Sequence, residues 1–198
     1  MINLCSRFEL NTSELELLKR YGKTEKLKKF KSSLEIFPGQ QILTLASDFR
    51  YMRWGINVSF MKKSITNSRI DKIYTTKFFE DDFKERRCLI PATAFFEWDR
   101  KNKNKYKIYV PEDKIFSIAA IFREYTSKES SISHVSILTT MAMGKMNEIH
   151  SRMPIIIPKH FEENYLMCTE PKKVYEFLIN NYVDLDFKNL SDSQLSFL

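Results

Sequence analysis

Residues that can do covalent and acid–base chemistry recur in short motifs along the chain. Cys5 lies near the start, and three further motifs follow far downstream: Asn67-Ser68-Arg69, Phe96-Glu97-Trp98 and His150-Ser151-Arg152. A cysteine at a true N-terminus carries two nucleophiles, its thiolate and its α-amine. Because the α-amine titrates near pH ~8, part of it is neutral at pH 7. An aldehyde can form an imine with that amine, and the adjacent thiol can then close a thiazolidine ring with the advantage of intramolecular proximity.

Length and composition indicate one globular domain with a basic surface. The chain has 198 residues, 43% of them hydrophobic and 14% aromatic, which is enough apolar material for a core. The net charge of +7 suits a polyanionic partner, and a lysine-rich solvated surface is the ordinary alternative. No apolar run is long enough to cross a bilayer, and the N-terminus lacks the apolar core of a secretory signal. We therefore expect a cytoplasmic protein that does not bind membranes.

The three cysteines are scattered and show no CxxC spacing, which disfavours both a disulfide framework and a zinc site. We expect neither a metal nor a cofactor. Cys88 lies in an apolar run and Cys168 follows a Leu-Met pair, so both are expected to be structural. The same expectation holds for His134 and His160, since a lone histidine is more often structural than functional.

Local patterns predict many short strands and few helices. Helices are predicted after the capping box at 13–16 with Leu15, Leu18 and Tyr21 on one face, over 76–87 with Phe79 and Phe83 on one face, from Pro158 to Leu166, and over 174–181. Strands are predicted over 41–46, 51–56 and 134–139, with a hairpin formed by 105–110 and 115–122. This pattern favours an α+β fold with a mostly antiparallel sheet or barrel.

Six motifs then occur in a set order: Cys5-Ser6-Arg7-Phe8, Trp54-Gly55, Asn67-Ser68-Arg69, Arg87-Cys88-Leu89-Ile90-Pro91, Phe96-Glu97-Trp98 and His150-Ser151-Arg152-Met153-Pro154. In these motifs the chain resembles the SOS-response-associated peptidase (SRAP) family of abasic-site processing proteins. The resemblance implies a single β-rich, barrel-like domain, with a core over about 5–167 and a C-terminal helical extension over about 168–198. It also implies covalent capture of abasic sites in single-stranded DNA through an N-terminal cysteine. We expect a monomer that is nucleoid-associated when bound to DNA.

The resemblance also assigns roles to residues of this sequence. Cys5 matches the nucleophile, Glu97 the active-site carboxylate, His150 the active-site histidine, and Asn67 the asparagine that holds the abasic sugar. The residues expected to contact or line the DNA are Arg7, Pro38, Trp54, Arg69, Trp98, Thr139 and Arg152.

Each role has an ordinary structural alternative. Apolar walls raise the pKa of a carboxylate, which suits Glu97 to a proton shuttle, but the same residue can be a strand residue that faces solvent. His150 can exchange a proton during opening of the sugar ring, and it can equally be structural. Asn67 can be a turn residue. Trp54 and Trp98 can stack on unpaired bases or pack in the core.

The start of the chain departs from the family pattern. In the family the cysteine directly follows the initiator methionine, whereas here Ile2, Asn3 and Leu4 intervene and Ser6 replaces the usual glycine. While the Leu4–Cys5 peptide bond is intact, the nitrogen of Cys5 is an amide and cannot form an imine. Three interpretations stay open: the chain cleaves itself before Cys5, its true start lies elsewhere, or it has lost the crosslinking activity.

Three functions are therefore carried as hypotheses. The first is a DNA-repair enzyme with crosslinking or lyase-type activity at abasic sites. The second is a cysteine peptidase that uses Cys5 and His150, acting on its own first four residues. The third is a non-catalytic module that binds single-stranded DNA through basic and aromatic residues alone.

Overall fold

Strands dominate the regular structure of the chain. The computed structural model describes residues 6–99, 101–126 and 131–191. Within them the strands are β1 (Phe8–Leu10), β2 (Ser33–Ile36), β3 (Gln41–Leu45), β4 (Phe49–Trp54), β5 (Asn67–Arg69), β6 (Arg87–Ala92), β7 (Ala94–Trp98), β8 (Lys105–Tyr109), β9 (Phe116–Thr126), β10 (Ser131–Met141), β11 (Arg152–Pro154), β12 (Ile156–Ile157) and β13 (Asp186–Asn189).

The helices are short. The α-helices are α1 (Glu14–Arg20), α2 (Ile73–Thr76), α3 (Glu80–Glu85), α4 (Glu162–Met167) and α5 (Pro171–Asn180), and 3₁₀ turns occur at Ile70–Lys72, Gly144–Glu148 and Lys159–Phe161. In this described part of the chain, no helix is long and apolar enough to cross a membrane.

Five strands close on themselves to form a barrel. Their hydrogen-bonded order is β10–β4–β3–β6–β9, and β9 pairs again with β10. The pairing of β10 with β4 is parallel, and the other four pairings are antiparallel. Every residue of β6 is buried, because the barrel interior lies on one side and α3 and α4 pack on the strand as well. The predicted α+β, mostly antiparallel, barrel-like fold is confirmed.

A second sheet carries the motif that follows Cys5. Its strand order is β13–β8–β7–β1–β2, with every pairing antiparallel. On β1, Phe8 lies opposite Ile36 of β2 and Phe95 of β7. Phe8 and Phe95 belong to the same buried cluster as Trp54 and Ile137, so this sheet and the barrel share one core. The C-terminal segment supplies α5 and then β13, which pairs with β8 at the sheet edge.

The first helix confirms its predicted start. The hydroxyl of Ser13 accepts from the backbone N–H of Glu16, and the Glu16 carboxylate accepts from the backbone N–H of Ser13, which is a complete capping box. The face of the helix that is buried is rotated slightly from the predicted apolar face. Leu17 and Leu18 are buried, whereas Leu15 is 77% exposed.

The helix predicted over 76–87 is wrong in its bounds, because Thr76 is the last residue of α2 and only Glu80–Glu85 form α3. Lys77 has a φ of 57°, a left-handed conformation that ends α2, and α3 begins only at Glu80. The predicted four-residue spacing still holds, because Phe79 and Phe83 are both buried in one cluster. Arg87 belongs to β6 and not to the helix.

The predicted hairpin over 105–122 is wrong. β8 pairs with β7 and β13, whereas β9 pairs with β6, β10 and β12. β8 is mostly half-buried, whereas β9 is buried on both faces from Phe116 to Phe122. Strand β8 belongs to the second sheet and β9 to the barrel, so the turn over 111–114 leads from one sheet to the other.

Arg87 ties β6 to the two helices beside it. Its Nε donates to the carbonyl of Tyr165 (2.5 Å), Nη1 donates to the carbonyls of Phe83 (2.7 Å) and Lys84 (2.8 Å), and Nη2 donates to that of Cys168 (2.6 Å). Methionine at this position leaves buried carbonyls without donors. We expect Arg87→Met to lower the free energy of unfolding by about 3 kcal/mol.

Urea denaturation followed by circular dichroism measures this loss. Arg53→Met is the matched control, because Arg53 is exposed on β4 and surface changes usually stay within about 0.5 kcal/mol. A loss at Arg87 no larger than the loss at Arg53 would show that these four hydrogen bonds contribute nothing net.

Candidate active site

Three strands that are distant in sequence meet at one end of β10. β5 pairs in parallel with β10, so that residues 67–69 lie opposite residues 137–139. β11 pairs with the same end of β10, with Arg152 opposite Met141 and Pro154 opposite Thr139. The structure therefore brings together Asn67, Arg69, Thr139 and Arg152, four residues that the sequence predicted for one site.

Arg152 is the centre of the polar contacts here. Its Nη2 donates to the carbonyl (2.9 Å) and Oγ1 (3.3 Å) of Thr139 and to Oδ1 of Asp71 (3.0 Å). Arg69 donates to the other oxygen of Asp71 at 2.6 Å. Hydrogen bonding from Arg69 and then from Arg152 keeps the pKa of Asp71 below its usual value, while burial lowers the pKa of Arg152. One carboxylate thus holds both guanidinium groups in position.

His150 is fixed by its own backbone and by the next strand. Its N–H donates to the carbonyl of Met146, a buried residue of the preceding 3₁₀ turn. The side chain is 7% exposed, and its Nδ1 accepts the backbone N–H of Arg152 at 3.2 Å. A ring nitrogen that accepts a hydrogen bond carries no proton, so the neutral imidazole carries its proton on Nε2. His150 therefore offers a donor, Nε2–H.

Glu97 lies on β7, next to the strand that leads to Cys5. The residue is 1% exposed, so the alternative of a solvent-facing strand residue is excluded. The backbone N–H of Phe96 donates to the carbonyl of Arg7 at 3.0 Å, which aligns the start of the described chain with Glu97. Cys5 itself lies outside the described residues.

Arg7 is stacked between aromatic rings. Its guanidinium carbon lies 4.8 Å from the ring centroid of Phe37 and 4.9 Å from that of Trp98, and Nη1 donates to Glu35 at 3.2 Å. Trp98 is half-buried, so it keeps exposed surface beside this cation. Pro38 follows Phe37 in an exposed turn.

The sequence analysis missed three charged residues that contact the predicted arginines or Trp98. Lys105 pairs with Glu35 and lies over the rings of Phe96 (4.5 Å) and Trp98 (5.6 Å). Glu35 holds Arg7, and Asp71 holds both Arg69 and Arg152. No pattern in the sequence indicates Lys105 or Glu35. The position of Asp71, two residues after Arg69, could have indicated the third.

Trp54 does not present a stacking surface. It is fully buried, its Nε1 donates to the carbonyl of Thr66 at 3.0 Å, and its ring packs on Phe8 with a centroid distance of 5.3 Å. The suggestion that Trp54 stacks on bases is therefore wrong, because neither face is accessible. Its contacts instead connect Phe8, the residue after Arg7, with Thr66, the residue before Asn67. Trp54 therefore links the residues around Arg7 to the residues around Arg152.

Comparison with known families identifies the family of this chain. The family model described as SOS response associated peptidase (SRAP) matches residues 4–193. The chain belongs to the SRAP family. The resemblance found in the six sequence motifs is confirmed.

Relatives of this SRAP chain span bacteria and vertebrates. The abasic site processing protein YoqW of Bacillus subtilis is 26% identical over 179 residues, which cover 82% of this chain and 80% of that protein. The abasic site processing protein HMCES of Mus musculus is 30% identical over 145 residues, covering 54% of this chain and 41% of that longer protein. A crystal structure of a protein from Bacteroides thetaiotaomicron shares the fold, with a TM-score of 0.80 at 20% identity over 96% of this chain and 94% of that one.

Cys88, His134 and His160 of this SRAP chain pack against other residues and lie outside the candidate site. Burial raises the pKa of the Cys88 thiol far above its usual value, so Cys88 is not a nucleophile at neutral pH. The ring of His134 packs on Tyr125, and His160 packs edge-on against Phe177. Across residues 6–99, 101–126 and 131–191 no group of three or more potential ligands could hold a metal ion.

Proposed function

We propose that this protein captures abasic sites in single-stranded DNA by forming a thiazolidine between Cys5 and the ring-opened sugar. The observation that carries the proposal is the backbone hydrogen bond from Phe96 to Arg7, which sets the strand after Cys5 beside Glu97. The relatives support the substrate, because both YoqW and HMCES are named abasic site processing proteins.

The chemistry requires no external oxidant or reductant. The α-amine of Cys5 adds to the aldehyde carbon of the open sugar to give a carbinolamine, which loses water to give an imine. The Cys5 sulfur then adds to the imine carbon, and the nitrogen takes a proton, which closes the five-membered ring. Glu97, whose side chain is 1% exposed, moves protons to and from the nitrogen and the departing hydroxyl where bulk water has little access.

His150 acts in this proposal as a hydrogen-bond donor to the sugar oxygen. Its Nε2–H can donate a hydrogen bond to the ring oxygen and stabilise the negative charge that develops there when the closed sugar opens to the aldehyde. Asn67, with both a donor and an acceptor, holds the sugar from the neighbouring β5.

The phosphates are bound by arginines in two places. Arg69 and Arg152 lie on one side, held by Asp71, and Arg7 lies on the other, stacked on Trp98. Planar guanidinium groups match phosphate oxygens, and the exposed surface of Trp98 suits an unpaired base. Trp54 supports both places from within the core.

Self-cleavage before Cys5 is the second candidate function, since it would free the amine. A cysteine peptidase needs an imidazole nitrogen that accepts the proton of the thiol. In His150 one nitrogen already accepts the backbone N–H of Arg152, and the other carries the proton. This geometry favours His150 as a hydrogen-bond donor over His150 as the base of a peptidase.

We expect binding to undamaged single-stranded DNA to be mainly electrostatic. The net charge of +7 and the arginines at 7, 69 and 152 predict a log–log salt slope of about −0.7 for each neutralised phosphate. Fluorescence anisotropy across a salt series measures the slope, with duplex DNA of the same length as the control. Duplex should bind more weakly, because Trp98 needs an unpaired base. An affinity that does not change with salt would exclude this mode of binding.

The test of the proposed function is a denaturing gel after incubation with an oligonucleotide that contains one abasic site. The expected result is a heat-stable protein–DNA adduct that forms without borohydride. A simple single-strand binding module would give affinity without the adduct.

A further inference from the structure

We propose that a second surface binds the single strand that flanks the abasic site, an inference that rests on the proposed function. We call it the lysine surface. It consists of the segment 23–31, the exposed ring of Tyr51 on β4, and the neighbouring end of β3. None of the residues assigned to the candidate active site belongs to it.

Tyr51 stands between two adjacent cavities. One has a volume of about 430 Å³ and is lined by Lys26 and Lys28, and the other has a volume of about 360 Å³ and is lined by Lys29 and Lys31. Tyr51 lines both cavities and is 39% exposed. An aromatic ring with open concave space on either side is a platform on which unpaired bases stack regardless of sequence.

The lysine surface is basic overall, because the segment 23–31 holds five lysines against one acidic residue, Glu25, and Asp48 is the other acidic residue that lines the first cavity. Lys26, Lys28, Lys29 and Lys31 are all exposed, and none of them forms an ion pair with any residue that the structure describes. Lys23, at the start of the same segment, differs because it pairs with Asp48 at 2.9 Å. Four unpaired cations around one exposed aromatic ring match the alternation of phosphates and bases in a single strand.

The lysine surface is continuous with the candidate active site. Gln40 lines the second cavity, and its Oε1 accepts the backbone N–H of Phe37 at 2.9 Å. Phe37 in turn is 37% exposed and lies against the guanidinium of Arg7. Gln40 and Phe37 therefore link the second cavity to Arg7, which gives a strand held at Arg7 and Trp98 a route over Phe37 towards Tyr51.

Two variants test this surface against a matched control. Tyr51→Leu removes the ring, and Lys28→Gln with Lys31→Gln removes one charge from each cavity. The control is Lys172→Gln with Lys173→Gln, which removes two exposed charges from α5. The probe is undamaged oligothymidylate of about 15 nucleotides, which is within the range that one such groove covers.

We expect Tyr51→Leu to weaken binding of this probe about tenfold, as the loss of one stacked base predicts. The Lys28 and Lys31 double variant should reduce the salt slope by about 1.4, the value for two phosphates, while the control double variant reduces it by less. Affinities and slopes equal to those of the control would overturn the proposal. So would an acidic peptide that binds the surface while the DNA affinity stays unchanged.

A second readout separates this proposal from the proposed function. Single-turnover adduct formation at a saturating concentration of abasic oligonucleotide, which removes differences in affinity, should proceed within about twofold of wild type in every variant. A slower reaction there would mean that the variants disturb the active site, and would count against a separate surface. If no protein forms an adduct, the proposed function fails while the affinity measurements still judge the lysine surface.

Discussion

Protein that retains Met1 to Leu4 should give no stable adduct with an abasic oligonucleotide, whereas a variant that begins Met-Cys5 should lose its methionine and crosslink. The thiazolidine needs a free amine on Cys5, and the amide that joins Cys5 to Leu4 has no nucleophilic lone pair. The thiol alone gives only a reversible thiohemiacetal, which denaturation destroys. We therefore expect the adduct yield to change from undetectable to nearly complete. The measurement is the intact mass of each protein followed by a denaturing gel after heating.

The controls distinguish processing from chemistry. Cys5→Ala in the shortened protein should abolish the adduct and leave DNA affinity nearly unchanged, because the arginines are untouched. If cells already deliver a chain that starts at Cys5, Cys5→Ala in the full-length chain should retain Met1 to Leu4, provided that Cys5 performs the cleavage. A heat-stable adduct from protein whose mass still includes Met1 to Leu4 would refute the thiazolidine mechanism and point to another amine, such as a lysine.

Replacing Glu97 by glutamine should slow crosslinking by about 10²–10⁴-fold, the usual contribution of a general acid–base residue. The change preserves the shape of a side chain that is 1% exposed and removes its ability to accept a proton. Imine formation needs a proton for the departing hydroxyl, and bulk water has little access to supply it there. Single-turnover rates at saturating DNA measure the effect on chemistry apart from binding.

Glu112→Gln is the matched control, because Glu112 is exposed and the substitution makes the same chemical change. It should crosslink at the wild-type rate, and all variants should bind undamaged DNA with similar affinity. His150→Ala should also slow capture or reversal more than binding, because it removes the Nε2–H donor. Wild-type rates in both Glu97→Gln and His150→Ala would show that the site is assigned to the wrong residues.

Local signals in the sequence predicted local structure well. The capping box at Ser13 and the paired burial of Phe79 and Phe83 depend on neighbours a few residues apart, and both are present. The hairpin over 105–122 failed because strand pairing depends on which sheet buries each strand, and that is decided by residues far away. Turn chemistry at 111–114 is compatible with either outcome.

The candidate site shows the same division. Motif order identified the residues that meet around Arg152, but no pattern predicted that Asp71 would hold two arginines there. Trp54 illustrates the opposite error. An aromatic residue beside a functional motif suggested base stacking, whereas its contacts with Phe8 and Thr66 place it in the core. Residue type alone cannot distinguish these cases, because tryptophan suits both environments.

The pairing of β1 with β7 has a consequence for protein synthesis. Glu9 and Thr93 are hydrogen-bonded although they lie 84 positions apart, and the contact of Asp71 with Arg152 spans 81 positions. Strand β1 is therefore synthesised well before its partner strand β7 and before His150. Contacts of such long sequence separation form slowly and after most of the chain is available. On the proposed mechanism, the capacity to react with DNA therefore appears only once translation has passed β11.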